Sequence, residues 1–259
     1  MKENKAKFLI VIMIIIIFEI FTGITNANNK TFVIDNVYSF FSLKYADSNF
    51  DIARIEKNKI NLIKFYYRDK DDNLFKNIIN LKAKIKEEGY NLIFATNGGI
   101  FSKKYAPLGL YFEAGKQLFE LNKKDGYGNF YLKPNGIFLI EGGEAKIEET
   151  TKIVELSNIK YALQSGPLLV FKGRINSLFK KNSINKYIRS GVGINVRGDI
   201  CFAISNEPVN FYSFAMLFKE MLNCDNALYL DGAISEMYIP KFRENSENNF
   251  SVIIGIVGN

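Results

Sequence analysis

Two carboxylates, Asp231 and Glu236, stand five residues apart in the run Leu230-Asp231-Gly232-Ala233-Ile234-Ser235-Glu236. A carboxylate at the mouth of a sheet, where a ligand can reach it, can do acid–base work. Asp231 follows Ala227 to Leu230, an apolar run that reads as a buried strand, and Gly232 frees the backbone to turn and leaves room beside it. The same Asp-Gly pair is also an ordinary turn. Arg189 precedes Gly191-Val192-Gly193, where a guanidinium could fork two phosphate oxygens or form a surface salt bridge. In Asn97-Gly98-Gly99, consecutive glycines let backbone N–H groups point into a concavity that holds an anionic oxygen, and Asn97 can donate and accept. Gln164-Ser165-Gly166-Pro167 is a third polar cluster, and Asn206 sits in a fourth, Ser205 to Asn210.

What the chain lacks narrows the chemistry. Its 259 residues include no histidine, which excludes Ser-His-Asp and Cys-His nucleophilic systems and His-ligated zinc. Ser165, with no histidine to activate it, reads as a hydrogen-bonding group. The formal charge of +7 is spread along the chain, without a cationic block. That suits anionic ligands or an anionic envelope and is no nucleic-acid signature. Cys201 and Cys224 are the only cysteines, and spacing alone leaves open whether they pair.

These clusters must be held by strands. After Lys2, Lys5 and Lys7, an apolar core from Phe8 to Ile17 and small residues up to Ala27 read as an export signal over residues 1–27. An uncleaved anchor is the alternative. Residues 28–259 then form one domain, periplasmic or extracellular, meeting the membrane only through the signal. Thr31 to Val37, Ser39 to Lys44, Asn61 to Tyr67 and Leu92 to Thr96 read as strands. Gly-centred turns at 115, 142–143, 173 and 198 mark successive hairpins. Leu74, Ile78, Leu81 and Ile85 predict a helix, and Phe211 to Leu222 predict a second, deeply packed one. Lys180 to Lys186 reads as a mobile, basic loop. The fold class expected is α+β: a mostly antiparallel twisted sheet of successive hairpins carrying two principal helices.

Asn97-Gly98-Gly99-Ile100-Phe101, Pro107-Leu108-Gly109-Leu110, Gln164-Ser165-Gly166-Pro167, Arg189 before Gly191-Val192-Gly193, and Leu230 to Ser235 occur in one order. In that order and spacing, over roughly Asn61 to the C-terminus, the chain resembles the phosphodiester glycosidase family. Where many members carry a third residue Gly after Asp-Gly, this chain has Ala233, and the surroundings look like the bacterial, exopolysaccharide-associated branch. The resemblance implies a hydrolase that splits a sugar-1-phosphodiester, a chemistry that needs no cofactor, and no residue is singled out as a metal ligand. It makes Asp231 and Glu236 the candidate carboxylates, and Arg189 with Gly98 and Gly99 the phosphate cradle. Asn97, Gln164, Ser165, Gly166, Asn206, Gly232 and Ser235 would contact a carbohydrate or sugar-phosphate substrate, and Tyr238 would stack on a sugar or simply pack. A non-catalytic envelope protein that binds anionic glycans is the alternative, and a structural partner in polysaccharide assembly a third.

Overall fold

Aromatic and β-branched runs broken by tight polar turns make this a chain of strands. A computed structural model describes residues 30–153, 155–231, 234–244 and 248–258. The export signal, Gly232 and Ala233 therefore lie outside the described residues.

The chain opens with a meander, β1 (Phe32–Ile34), β2 (Tyr38–Tyr45) and β3 (Ser48–Ile55), and a 3-10 helix (Lys57–Leu62) leads to β4 (Ile63–Tyr66). Helix α1 (Ile78–Glu87) and β5 (Asn91–Asn97) follow. Two hairpins come next, β6 (Tyr111–Glu113) with β7 (Lys116–Phe119), and β8 (Gly136–Glu141) with β9 (Glu144–Glu149). After β10 (Ile159–Ser165) come β11 (Leu168–Phe171) with β12 (Arg174–Ile175), and β13 (Ser190–Asn195) with β14 (Ile200–Ser205). Helix α2 (Phe211–Met216) runs on as a π-helical turn (Leu217–Met221) into β15 (Cys224–Asp231), β16 (Met237–Tyr238) and β17 (Ile253–Gly258).

Three sheets result, ordered β1-β2-β3-β14-β13-β15-β11-β12, β7-β6-β10-β8-β9 and β16-β5-β17-β4. The pairings among described strands are antiparallel. The molecule is mostly antiparallel sheet with few helices. All three sheets contribute to one core cluster through residues such as Phe65, Phe94, Phe138, Phe202 and Leu228. A second cluster fills the other face of the eight-stranded sheet, beneath Phe214 and Phe218.

β15 joins both. Leu228 and Leu230 enter the first cluster, Ala227 and Tyr229 the second, as the two-residue period of a strand requires. A strand buried on both faces is rigid, and Asp231, its last residue, lies on the Tyr229 side. Gly191 and Gly193 let the second cluster close over β13. A Cβ on Gly193 would meet Phe218 at 2.6 Å, and one on Gly191 would meet Phe214 and Phe218 at 3.1 Å. The space these glycines clear is therefore filled by phenylalanine rings.

Three elements differ from the sequence reading. β3 was not anticipated, because Asp51 and Arg54 interrupt its apolar alternation; Asp51 is buried against Ser42 Oγ (2.6 Å) and Arg243 Nη1 (2.7 Å). α1 begins at Ile78, not Leu74, because Asn77 caps it through the Asn80 N–H (2.8 Å) while Leu74 bridges Arg68. The basic loop 180–186 is pinned: Asn210 Nδ2 donates to the carbonyls of Lys181 (3.0 Å) and Ser183 (3.1 Å).

Candidate active site

Three serines fix the end of β15. Ser165 Oγ donates to the Leu230 carbonyl (3.0 Å) and accepts from the Ile100 N–H (3.3 Å). The Asp231 carbonyl lies 3.3 Å from Ser190 Oγ and 2.7 Å from Ser235 Oγ, which also reaches the Ile188 carbonyl (3.2 Å). Ser190 faces Asp231 across the β13–β15 pairing. Segments far apart in sequence are thereby gathered around one carboxylate residue, itself 7% exposed. Ser165 and Ser235 act here as clamps on the backbone.

Beside this strand end lies Arg189, with 0% exposure. Its Nε donates to the Val209 carbonyl (2.8 Å), Nη1 to Tyr229 Oη (3.2 Å), and Nη2 to the carbonyl and Oδ1 of Asn185 (both 3.2 Å). The guanidinium carbon stacks 3.7 Å from the Phe211 ring centroid, with Tyr187 and Tyr229 on other sides. Among the described residues Arg189 makes no salt bridge, so the surface ion pair envisaged from sequence is not formed. Four of its five N–H groups are committed to neutral acceptors, not held open as a fork. Burial pulls its pKa below the usual arginine value, and Tyr229 and Tyr187 act in the opposite sense. Burial also pushes the Tyr229 hydroxyl well above the usual tyrosine range; the Arg189 charge draws it down and the Asp231 charge pushes it up. Arg189 and Asp231 thus bear with opposite sign on one phenol.

The Asn97 segment is built differently from the cradle expected. The Gly98 N–H donates to the Val252 carbonyl (2.7 Å), which removes it from any anion. A Cβ on Gly98 would lie 2.8 Å from Val252 Cβ, and one on Gly99 would lie 2.8 Å from the Gln164 carbonyl. These glycines therefore serve close packing of β5 on β17 and on the end of β10. Asn97 Oδ1 accepts from the Glu236 N–H (3.0 Å), the Asn97 N–H donates to the Glu236 carbonyl (3.2 Å), and Asn97 Nδ2 to the Gly98 carbonyl (3.0 Å). Asn97 positions Glu236.

Gln164 is saturated by protein. Its Oε1 accepts from the N–H groups of Leu110 (3.0 Å) and Asn122 (2.9 Å), and Nε2 donates to the Asn122 carbonyl (2.7 Å) and Thr150 Oγ1 (3.4 Å). An amide with two lone pairs and two N–H groups so engaged has nothing left for a substrate. Gly166 packs against Asn135, where a Cβ would come within 2.6 Å of Asn135 Cβ.

Two depressions flank Tyr187, which lines both. One, of about 590 Å³, brings together Ser235, Glu236 and Asn206 with Ser205, Arg243 and Asn248. Asn248 Nδ2 lies 3.3 Å from Glu236 Oε1, and Arg243 Nη1 donates to Asn206 Oδ1 (2.6 Å). The other, of about 530 Å³, is lined by Asn129, Asn185, Tyr187 and Tyr229, the polar shell of Arg189. Sequence reasoning missed that shell. Asn185 and Tyr187 belong to or adjoin a stretch that looks like solvated loop, and Asn129 lies in a Gly-rich segment with no periodic signal. The one available cue was Asn210, a helix cap that also reaches back to the loop.

The chain is similar to known proteins at three levels. The family model described as phosphodiester glycosidase matches residues 90–256. The uncharacterized protein YigE of Escherichia coli (strain K12) is 40% identical over 177 residues, covering 68% of this chain and 69% of that protein. Two crystal-scale likenesses concern the fold. The catalytic domain of zebrafish N-acetylglucosamine-1-phosphodiester alpha-N-acetylglucosaminidase, auto-inhibited by its pro-peptide, matches at a TM-score of 0.55 and 14% identity, covering 88% of this chain and 81% of that one. A hypothetical protein from Synechocystis matches at 0.55 and 12%, covering 89% and 64%. The family match spans the end of β15, the Arg189 shell and the Asn97–Glu236 contact together, and the chain belongs to the phosphodiester glycosidase family of hydrolases.

Proposed function

We propose that this protein is an exported hydrolase that splits the bond between a sugar's anomeric carbon and a phosphodiester in envelope or exopolysaccharide material. Water adds at the anomeric carbon, the carbon–oxygen bond breaks, and a phosphate monoester leaves with the bonding electrons. A phosphate is already a good leaving group, so the demand falls on stabilising an oxocarbenium-like centre and the phosphate charge. Asp231 supplies the carboxylate at the first. Arg189 serves the second through its charge, felt at Tyr229 and in the adjoining depression, since four of its five N–H groups are engaged. Glu236, Asn206 and Ser235 would contact the rest of the substrate.

The observation that carries this reading is the burial of Arg189 among neutral acceptors. A desolvated cation without a carboxylate partner is costly, and an anion seated nearby offsets that cost. The test is turnover of sugar-1-phosphodiesters, with nucleoside-diphosphate sugars and aryl glycosides as controls, by wild type and Asp231→Asn. Loss of an essential charged group typically costs about 10²–10⁴ in rate, so Asp231→Asn should lose at least roughly a hundredfold while still binding sugar-phosphate product. Normal turnover in the variant removes Asp231 from the mechanism. Glycan binding without turnover by the wild type supports a binding protein instead.

A further inference from the structure

A depression of about 630 Å³ lies away from the Arg189 shell, at the β1 edge of the eight-stranded sheet. Its aromatic lining is unusually exposed: Tyr90 is 50% accessible, Phe242 41% and Phe32 37%. Phe32 and Phe242 touch, with ring centroids 4.4 Å apart, and Phe242 rests on Phe40 at 5.1 Å. Lysines surround the aromatics. Lys82 and Lys86 sit one turn apart on α1, and Lys241 lies beside Phe242. Lys82 Nζ stands 4.4 Å over the Tyr238 ring. Asp35 is the one acidic residue in the lining, so the face is cationic as well as apolar.

We propose that this face is a docking surface for an anionic lipid bilayer. Exposed aromatic rings ringed by lysines have the composition that settles at a membrane–water interface, rings at headgroup level and ammonium groups on the phosphates. Contiguous apolar surface of this kind on one face is uncommon without a partner. Its place in the chain fits the same occupant. β1 follows the segment Phe8 to Ile24, apolar apart from Glu19 and Thr22, by only the seven residues Thr25 to Thr31, a reach of about 25 Å at full extension. During export the face is delivered next to lipid, and after cleavage at Ala27 it would be what keeps the protein there. Membrane contact then extends beyond the signal segment expected from sequence. Of the two roles open to Tyr238 from sequence, a sugar platform or plain packing, the buried ring beneath Lys82 fits packing.

The hydrophobic clusters lie within residues 31–259, so a chain starting at Asn28 carries the whole described fold without the apolar run. The protein has no tryptophan, so Phe242→Trp provides a single reporter. With phosphatidylglycerol vesicles its emission should shift to the blue and be quenched by brominated lipid; phosphatidylcholine vesicles should do neither. Lys86→Gln with Lys241→Gln, both exposed, should lower the partition coefficient roughly thirtyfold, from about a fivefold contribution per surface lysine. Melting curves of each variant check that the fold is kept. Equal binding to neutral and anionic vesicles, no binding, or an unchanged coefficient in the double variant overturns the proposal. Concentration-dependent dimerisation that buries the Trp reporter without lipid would assign the face to a second copy instead.

Discussion

Replacing Arg189 by lysine keeps the charge and removes the fork. Read from the sequence as a phosphate fork, Arg189 would accept such a change with little loss of stability. The structure argues otherwise. The guanidinium is fully buried and bonds Val209, Tyr229 and Asn185 at once, three directions that one ammonium cannot serve. Leaving one or two buried acceptors without their charged donor costs about 1.5–3 kcal/mol each, so Arg189→Lys should lose on the order of 3 kcal/mol. Stacking on Phe211 at 3.7 Å is weakened as well. For a unit of this size each kcal/mol lowers Tm by about 2–4 °C, which predicts a fall of about 6–12 °C.

Two assays on one preparation separate the structural from the functional share. Thermal unfolding reads the first. Turnover well below the variant's Tm reads the second, and kcat/KM should fall at least roughly tenfold, about 1.4 kcal/mol, because the cation no longer sits against Tyr229. An unchanged Tm would refute the burial argument. A lowered Tm with normal kcat/KM would make Arg189 a structural cation and remove it from the site.

Asn210→Ala removes both the α2 cap, seen in the Ser213 N–H contact at 2.9 Å, and the two bonds to the 180–186 loop. It should cost about 1 kcal/mol by denaturant unfolding and expose Lys180, Lys181 and Lys186 to trypsin. Gly193→Ala drives a Cβ to 2.6 Å from Phe218 and 2.8 Å from Cys224 Sγ, and should destabilise by about 1–3 kcal/mol in the same assay. Cys201 and Cys224 are both free, on strands separated by β13; two strand spacings of about 4.8 Å put their Cα atoms beyond the roughly 7 Å a disulfide allows, although the two side chains approach closely enough to hydrogen-bond. Thiol titration should count two thiols after denaturation and none in the native protein, where hydrogen bonding to Cys201 and burial push the Cys224 thiol far above its usual range.

The sequence showed most of the strands because their apolar runs are bounded by Gly and Asp turns, a signal local to each hairpin. It also showed which segments meet, since the residues around Asn97, Ser165, Arg189 and Asp231 do converge. Roles were harder to read than places. A glycine that admits a ligand and one that admits a phenylalanine are identical in sequence, and Gly98, Gly99, Gly191 and Gly193 turned out to face Val252, the Gln164 carbonyl and the rings of α2. A glutamine at a strand end looks available until its four hydrogen bonds are known. The Arg189 shell was illegible for the converse reason: Asn129, Asn185 and Tyr187 come from irregular segments whose meeting is set by tertiary contacts, not by any period.

That shell explains why a cation and a carboxylate can both be kept at one strand end. Direct pairing of Arg189 with Asp231 would have cancelled each charge against the other. The chain instead places the Tyr229 phenol within reach of both influences, and gives the guanidinium neutral acceptors on its other sides. A sugar-1-phosphodiester has the complementary pattern, a phosphate of full negative charge one bond from a carbon that becomes positive as it departs. On the proposed reading, the phosphate lies toward Arg189 and the anomeric carbon toward Asp231. A field held ready in that sense requires little reorganisation when the bond breaks. Tyr229→Phe tests the separation itself. It keeps the ring that packs on Phe211 and deletes the hydroxyl that accepts from Arg189 Nη1. If the phenol holds the two charges apart, the variant should lose at least roughly tenfold in kcat with KM little changed, because the loss falls on the transition state. A rise in KM alone, at unchanged kcat, would mean that Tyr229 only helps to bind the substrate and that the charges need no spacer.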